Sequence, residues 1–370
     1  MKLAIVHDYL NQYGGAEKVV EVLHKVFPDA PIYTSIYLPQ NMPESFQKMN
    51  IRTSFMQKLP FLKTHFKKYL MLYPKAIESF DLGGYDVVLS SSSAFAKGAK
   101  IHPNTLHICY CYSPMRFVWN YESYVEKEGF GTVTRRILPF FISRLKKWDL
   151  RTNSSVKHFI AISRNIQDRI RLCYQRESEL IYPPVNVGNF EISKEISDYF
   201  LLVSRLNAYK QIDLAIEAMN RLGLPLKIIG DGPHRKNLER LANPNIEFLG
   251  KVPANVLAEK YRCCRALIFP GDEDFGIVPV EAQACGRPVI AYAAGGVLET
   301  TIEDVTGVFF KTQTVASLIE AINKFILIED HFNPAQIRSN SFRFGEDIFK
   351  REIKQFTEKK YYLFQKERSS

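Results

Sequence analysis

The stretch FPGDEDFGIVPVEAQACGRPVIA, residues 269–291, decides how this chain is read. It starts at the end of an apolar run, crosses a short acidic loop containing glycine, and enters a segment with helical spacing. Pro279 suits the first turn of a helix, where a missing N–H costs nothing. Gly286 then ends the helix before Arg287-Pro288 and the next apolar run, Val289–Ala291. Strand, loop, helix and strand in that order make a parallel α/β unit. The loop at the carboxyl end of such a strand is where open α/β sheets bind ligands. Glu273 lies in this loop, and Glu281 follows eight positions later in the expected first helical turn. Between them Phe275-Gly276-Ile277 can offer backbone N–H groups to an anion at the helix start. Taken singly, Glu273 reads as a solvated loop acid and Glu281 as an acid complementing the helix dipole. The two acids around a glycine-bearing anion loop form the informative pattern.

The same rhythm extends both ways from this stretch. Leu3–His7, Val87–Ser90, Leu106–Tyr110, His158–Ile162 and Leu180–Tyr182 read as short buried strands. So do Phe200–Val203, Leu226–Ile229, Ile246–Leu249, Ala266–Phe269 and Val289–Ala291. Between them Ala16–Phe27, Lys210–Leu222, Arg235–Ala242 and Val315–Ile326 have helical spacing. Strand–helix alternation predicts parallel sheets covered on both faces. At 370 residues the chain is long enough for two such domains. YPPVN at 182–186 is the linker, because two prolines hold the chain extended. The expected architecture is α/β, with two doubly wound, Rossmann-like domains facing one cleft.

Composition narrows the class. With 46% hydrophobic and 24% charged residues the chain is globular rather than disordered. His7 and Asp8 interrupt the opening apolar run, which therefore reads as a first strand rather than a leader. No stretch approaches the roughly 18 apolar residues needed to span a bilayer. The six cysteines form no CxxC pair and have no His at ligand spacing, which suits the reducing cytoplasm and argues against structural zinc. The net charge of +10 falls entirely in residues 1–183, which carry 25 Lys and Arg against 15 Asp and Glu. From Ser45 to Ile77 no acid occurs, while Lys48, Arg52, Lys58, Lys63, Lys67, Lys68 and Lys75 alternate with Phe55, Phe61, Phe66, Tyr69 and Tyr73. Arg135, Arg136, Arg144, Lys146 and Lys147 form a second basic cluster. Such stretches suit an anionic membrane surface, although the aromatics could instead complete a core. No nucleic-acid-binding motif accompanies them, so nucleic acid is not an expected partner.

The residues also carry a family resemblance. EDFGIVPVE looks like the paired-glutamate motif of retaining glycosyltransferases of the GT-B fold, family 4. IVHDYLNQYGGAEKV, LHICYCYSPMRFVWN, YPPVN, VSRLNAYKQIDLAIEA and IGDGP extend the likeness over nearly the whole chain, toward bacterial polysaccharide and O-antigen members. The resemblance implies domains at 1–183 (acceptor side) and 184–340 (nucleotide-sugar side), with a helix in 341–370 packing back toward the first. It implies that Arg205 and Lys210 hold the donor pyrophosphate, and two cations suit a leaving group whose negative charge grows in the transition state. Glu281 is expected to accept from the ribose hydroxyls and Glu273 to face the donor sugar. The amides of Phe275, Gly276 and Ile277 are expected to contact sugar or phosphate. Gly14 and Gly15 are expected to let the first loop approach the pyrophosphate across the cleft. Gly230 and Asp231 are expected to line the nucleotide side, although turn chemistry alone explains that motif nearly as well. No cofactor and no metal are expected, the nucleotide diphosphate sugar being a co-substrate.

Two departures qualify the resemblance. Tyr112 stands where relatives usually carry a His, and His107, five residues earlier, reads as a packed strand residue. Asp272-Glu273-Asp274 is formally a metal-binding D-x-D, but it precedes FG and the second glutamate, and is read as accidental. Hydrolysis is disfavoured, because a glutamate beneath the nucleotide leaves no second acid for the leaving group. The leading expectation is transfer of a hexose from UDP-glucose or GDP-mannose to a lipid-linked or oligosaccharide acceptor. A nucleotide-sugar epimerase and a non-catalytic sugar-nucleotide or membrane-binding protein remain as alternatives.

Overall fold

The structure, a computed structural model, describes residues 1–120 and 132–369, with the side chains of residues 63, 64, 67 and 132–137 outside the description. Lys63, Lys67, Arg135 and Arg136 of the basic stretches thus lie outside the described side chains. The chain divides into two compact units, residues 1–184 with 349–370, and residues 185–348. Residues 341–348 therefore group with the second unit.

The first unit is built on a seven-stranded parallel sheet in the order β3-β2-β1-β4-β5-β6-β7. Its strands are β1 (Leu3–His7), β2 (Ile32–Thr34), β3 (Ile51–Thr53), β4 (Val87–Ser92), β5 (Leu106–Cys111), β6 (His158–Ala161) and β7 (Ser178–Leu180). Every residue of β1, β4 and β5 is buried, as expected of central parallel strands covered on both faces. β7 lies two residues before the expected Leu180–Tyr182. Being an edge strand it needs no apolar run, and the apolar Ile181 belongs to the buried exit toward Pro183-Pro184. β2 and β3 escaped the sequence reading because three residues carry too little period-2 signal.

The second unit holds a six-stranded parallel sheet in the order β10-β9-β8-β11-β12-β13. Its strands are β8 (Phe200–Val203), β9 (Leu226–Ile229), β10 (Ile246–Gly250), β11 (Leu267–Phe269), β12 (Val289–Tyr292) and β13 (Gly307–Phe310), the last missed in the sequence. The helix Ile212–Leu222 buries Ile212, Leu214, Ala215, Ile216, Ala218 and Met219 against this sheet's core and ends at Gly223 in the left-handed region. It begins two residues later than the expected Lys210. Gln211, with φ of 54°, breaks the chain there and leaves Lys210 in a separate single turn, Ala208–Lys210. The C-terminal helix Glu346–Ser369 buries Phe349, Ile353 and Thr357, four residues apart on one face. Phe349 meets the Tyr110 ring edge-on at 5.7 Å, within the first unit.

Candidate functional site

The second sheet runs outward from β8 through β9 to β10, then returns to the other side of β8 with β11. The order reverses between β8 and β11, and open parallel sheets bind ligands at that switch point, beyond the carboxyl ends of the strands. The loops leaving these two strands carry Arg205, Lys210 and Glu273. Arg205 is exposed, while its neighbour Leu206 is fully buried and anchors the loop. The turn Ala208–Lys210 brings the Lys210 ammonium onto the Glu273 carboxylate as an ion pair, with side chains 13% and 29% exposed. The ammonium also lies 5.0 Å from the centre of the Tyr209 ring. Both residues line a small cavity with Ser204, Phe269 and Gly271. A side chain at Gly271 would press within 3.2 Å of the Lys210 carbonyl oxygen, so glycine lets the two loops meet.

Glu273 is held from its other side by a pair of residues that the sequence reading passed over. The Gly296 N–H donates to the Glu273 carbonyl at 2.8 Å. A Cβ at Gly295 would come within 2.3 Å of that same oxygen, and one at Gly296 within 2.3 Å of the Phe275 Cα. Gly295-Gly296 thus permits backbone-to-backbone contact; a glycine pair just past a strand end was the available signal.

The helix following the loop spans Ile277–Ala284, two residues earlier than Pro279 suggested. Gly276 caps it with φ of 89°, a conformation only glycine adopts freely. The amides of Gly276, Ile277 and Val278 have no acceptor within the helix, and Pro279 has no N–H to satisfy. Phe275 turns its side chain into the core, 3% exposed, with its ring edge-on to Phe344 at 5.4 Å. The earlier start moves Glu281 into the second turn. The helix dipole fades within one turn, so it does not account for this acid. Glu281 is only 7% exposed, and a buried carboxylate needs a donor. The fully buried Tyr261 hydroxyl supplies one to Oε2 at 2.9 Å. Burial, reinforced by Glu281 itself, pushes the Tyr261 phenol well above its ordinary pKa and keeps it a donor.

Gly230 and Asp231 support the Arg205 loop. A Cβ at Gly230 would lie 1.8 Å from the Ser204 carbonyl oxygen, and one at Gly232 2.6 Å from that of Leu206. Asp231 accepts at its carbonyl from Leu206 N–H at 3.1 Å, and its carboxylate accepts from Gly232 N–H at 2.8 Å. The turn fixes where Arg205 emerges.

Gly14 and Gly15 belong to the first unit, where Gly15 begins the helix Gly15–Val26. The Gly14 N–H already donates to the Glu17 carboxylate at 2.8 Å. Tyr112 joins a buried network not foreseen from sequence: its hydroxyl lies 2.8 Å from Ser91 Oγ and 3.1 Å from the Ala16 carbonyl, and His7 Nδ1 lies 3.1 Å from Ser91 Oγ. His107 is fully buried beside Ser90 Oγ at 2.9 Å, and burial lowers its pKa to about 3. It is a neutral packed residue. At the first sheet's own switch point, between β1 and β4, Asp8 is 1% exposed. Its carboxylate accepts from the amides of Ser93 (2.6 Å), Ala94 (3.0 Å), Phe95 (2.7 Å) and Ala96 (2.6 Å), and from Ser93 Oγ (2.8 Å). The chain's own carboxylate fills this ring of donors. Among the described residues, no group of three or more His, Cys, Asp or Glu could hold a metal ion, Asp272 and Asp274 included.

Two doubly wound parallel sheets of this kind define the GT-B fold. The chain matches the crystal structure of Anabaena HepE in complex with UDP and glucose with a TM-score of 0.74, covering 97% of this chain and 99% of that one. At 17% identity this likeness speaks for the fold alone. Within that fold, residues 189–341, which lie in the second unit, match the glycosyl transferases group 1 family. An uncharacterized glycosyltransferase of Methanocaldococcus jannaschii is 32% identical over 186 residues, covering 48% of this chain and 52% of its own. The O-antigen chain mannosyltransferase RfbU of Salmonella typhimurium is 32% identical over 146 residues, covering 36% and 41%. The chain spans about half the length, or less, of these curated relatives.

Proposed function

We propose that this protein is a retaining, metal-independent glycosyltransferase that takes a hexose from a nucleotide diphosphate sugar held by the second unit. The observation that carries the reading is the meeting of Lys210 and Glu273 at the switch point between β8 and β11, where the β8 loop also carries the exposed Arg205. Arg205 and Lys210 hold the pyrophosphate, Glu281 the ribose, and Glu273 the sugar. In the reaction the anomeric C–O bond to the diphosphate breaks, and its electron pair stays on the phosphate oxygen. The acceptor hydroxyl attacks from the same face, and its proton passes to that leaving oxygen. The two cations stabilise the growing charge, which is the role a divalent metal would otherwise fill.

The UDP and glucose bound by the HepE relative and the mannosyl transfer named for RfbU support UDP-glucose or GDP-mannose as the donor. A lipid-linked or oligosaccharide intermediate of surface polysaccharide is the acceptor. The first unit carries 32 Lys and Arg against 18 Asp and Glu, a net of +14, whereas the second carries 17 against 21. No helix among the described residues is long and apolar enough to cross a membrane. Phe61, 77% exposed and held at φ of 52°, and Phe140, 61% exposed, belong to the first unit with the exposed Lys58 and Lys68. Tyr73 instead packs in the core, with Phe66 and Tyr69 against it. This pairing of exposed aromatics with cations supports peripheral contact with an anionic membrane face on the cytoplasmic side.

Incubation with a panel of nucleotide sugars, with and without lipid extract and with and without excess EDTA, tests the reading. Nucleoside diphosphate release that depends on extract and survives EDTA is expected. Loss in EDTA with rescue by Mn²⁺ would return Asp272 and Asp274 to ligand candidates, and sugar conversion without an acceptor would make the protein an epimerase.

A further inference from the structure

We infer that Glu273 discriminates between the donor and the spent nucleoside diphosphate, by competing with phosphate for Lys210. This rests on the reading of the switch point as the diphosphate site. Lys210 and Glu273 already neutralise one another there, while Arg205 stands exposed earlier in the loop that carries Lys210. The ion pair is largely shielded from solvent, with Lys210 13% and Glu273 29% exposed, so water screens it less than a surface pair. Backbone contacts hold both partners in place. Gly271 packs against the Lys210 carbonyl, and the Gly296 N–H holds the Glu273 carbonyl. The tyrosine ring beside the ammonium further confines it.

An anion that engages Lys210 must therefore take the ammonium from a carboxylate and accept that carboxylate as a neighbour. The two candidate anions meet this demand differently. A nucleotide sugar brings hydroxyls beside the diphosphate, and these donate to Glu273 once it has released Lys210. Charge-assisted hydrogen bonds of that kind are the stronger ones. The released nucleoside diphosphate has lost the transferred hexose and its hydroxyls, and its remaining ribose hydroxyls belong to Glu281. Its terminal phosphate also gains negative charge when the glycosidic bond breaks, so it is repelled more strongly by Glu273. Specificity built on such repulsion is a difference of affinities in which the unwanted partner is penalised. Glu273 thus favours the loaded donor and speeds departure of the product, a step that often limits turnover.

The consequence is unusual for a residue at the reacting sugar: removing its charge strengthens binding of the product. Calorimetry with UDP and GDP, on the full chain and on Glu273→Gln, reads it directly. Thermal melting establishes that the variant is folded, and Glu273→Ala serves as a second variant. Both substitutions are expected to tighten binding of the free diphosphate about tenfold, the worth of one charge-assisted contact. Affinity for the matching nucleotide sugar should stay level or fall, so the donor-to-product preference collapses. In a Lys210→Gln background most of the gain should vanish, because no ammonium remains to be freed. Equal or weaker diphosphate binding in both Glu273 variants overturns the inference alone. Absence of diphosphate binding by every protein, the unmodified chain included, overturns the site assignment with it.

Discussion

The Tyr261 hydroxyl donates to Glu281 Oε2 at 2.9 Å, from a side chain that solvent does not reach. The bond orients a buried carboxylate, which on the proposed reading is the group that receives the two ribose hydroxyls. Tyr261→Phe should therefore raise the donor KM several-fold with little change in kcat, the pattern of lost uniform binding. Glu281→Gln should do the same more strongly, and the two changes should not add, since they act on one group. Additive effects, or a fall in kcat with KM unchanged, would separate Tyr261 from the ribose site.

Arg205 and Lys210 can be told apart from each other. Replacing either with Ala should weaken nucleoside diphosphate binding by about 1.5–3 kcal/mol. Lys210→Ala should also cost thermal stability, because it leaves the half-shielded Glu273 without its cation. Arg205→Ala should not, as its side chain is exposed. Calorimetry and melting curves on the two variants make the comparison, and unchanged affinity in both removes them from the site.

His107 makes the first unit acid-sensitive. Its pKa falls from an ordinary 6.5 to about 3 on folding, because burial disfavours the charged ring. Between those values the unfolded chain binds a proton that the folded chain refuses. Stability from this group is complete above about pH 6.5 and is lost as pH falls toward 3, by up to about 1.4 kcal/mol per pH unit. His107→Gln should flatten the pH dependence of the urea midpoint between pH 7 and pH 5. Parallel curves for the variant and the parent chain would refute the assignment.

The membrane-facing reading predicts salt-sensitive flotation. Each Lys close to an anionic surface contributes about 1 kcal/mol, attenuated by screening. The unmodified protein should float with phosphatidylglycerol vesicles at low salt and leave them at high salt. Lys58→Glu with Lys68→Glu should abolish flotation, and Phe61→Ser should weaken it at every salt concentration, while diphosphate binding persists. Equal absence from anionic and neutral vesicles in the unmodified protein ends the hypothesis.

Much of this molecule was legible in residue order because its central strands are covered on both faces and so read as unbroken apolar runs, as Phe200–Val203 and Leu226–Ile229 do. Ile51–Thr53 lacks that signal, since an edge strand of three residues has no face it must bury. Glu273 and Lys210 could be singled out by motif, but their mutual contact depends on Gln211 adopting a left-handed conformation that nothing in its neighbours announces. The helix start failed for a similar reason. Pro279 is permitted anywhere in the first turn, and the stronger marker was Gly276, whose positive φ sets the cap. Tyr261 was invisible, because a tyrosine twenty residues before its partner looks like any other core aromatic.

The carboxylate of Asp8 has a wider meaning for how the two halves divide their labour. Each half carries a sheet whose strand order reverses once, and each reversal is a natural socket for phosphate. In the first half that socket is stoppered by the chain itself, with four amides and a hydroxyl turned onto residue 8. The half with the large positive excess is thus the one whose ready-made phosphate socket is closed. On the proposed reading, its charge acts over area and distance, as a field that would draw in extended anionic surfaces. On the same reading, the nearly neutral half keeps its switch point open for one small anion, so that attraction and capture would fall to separate halves.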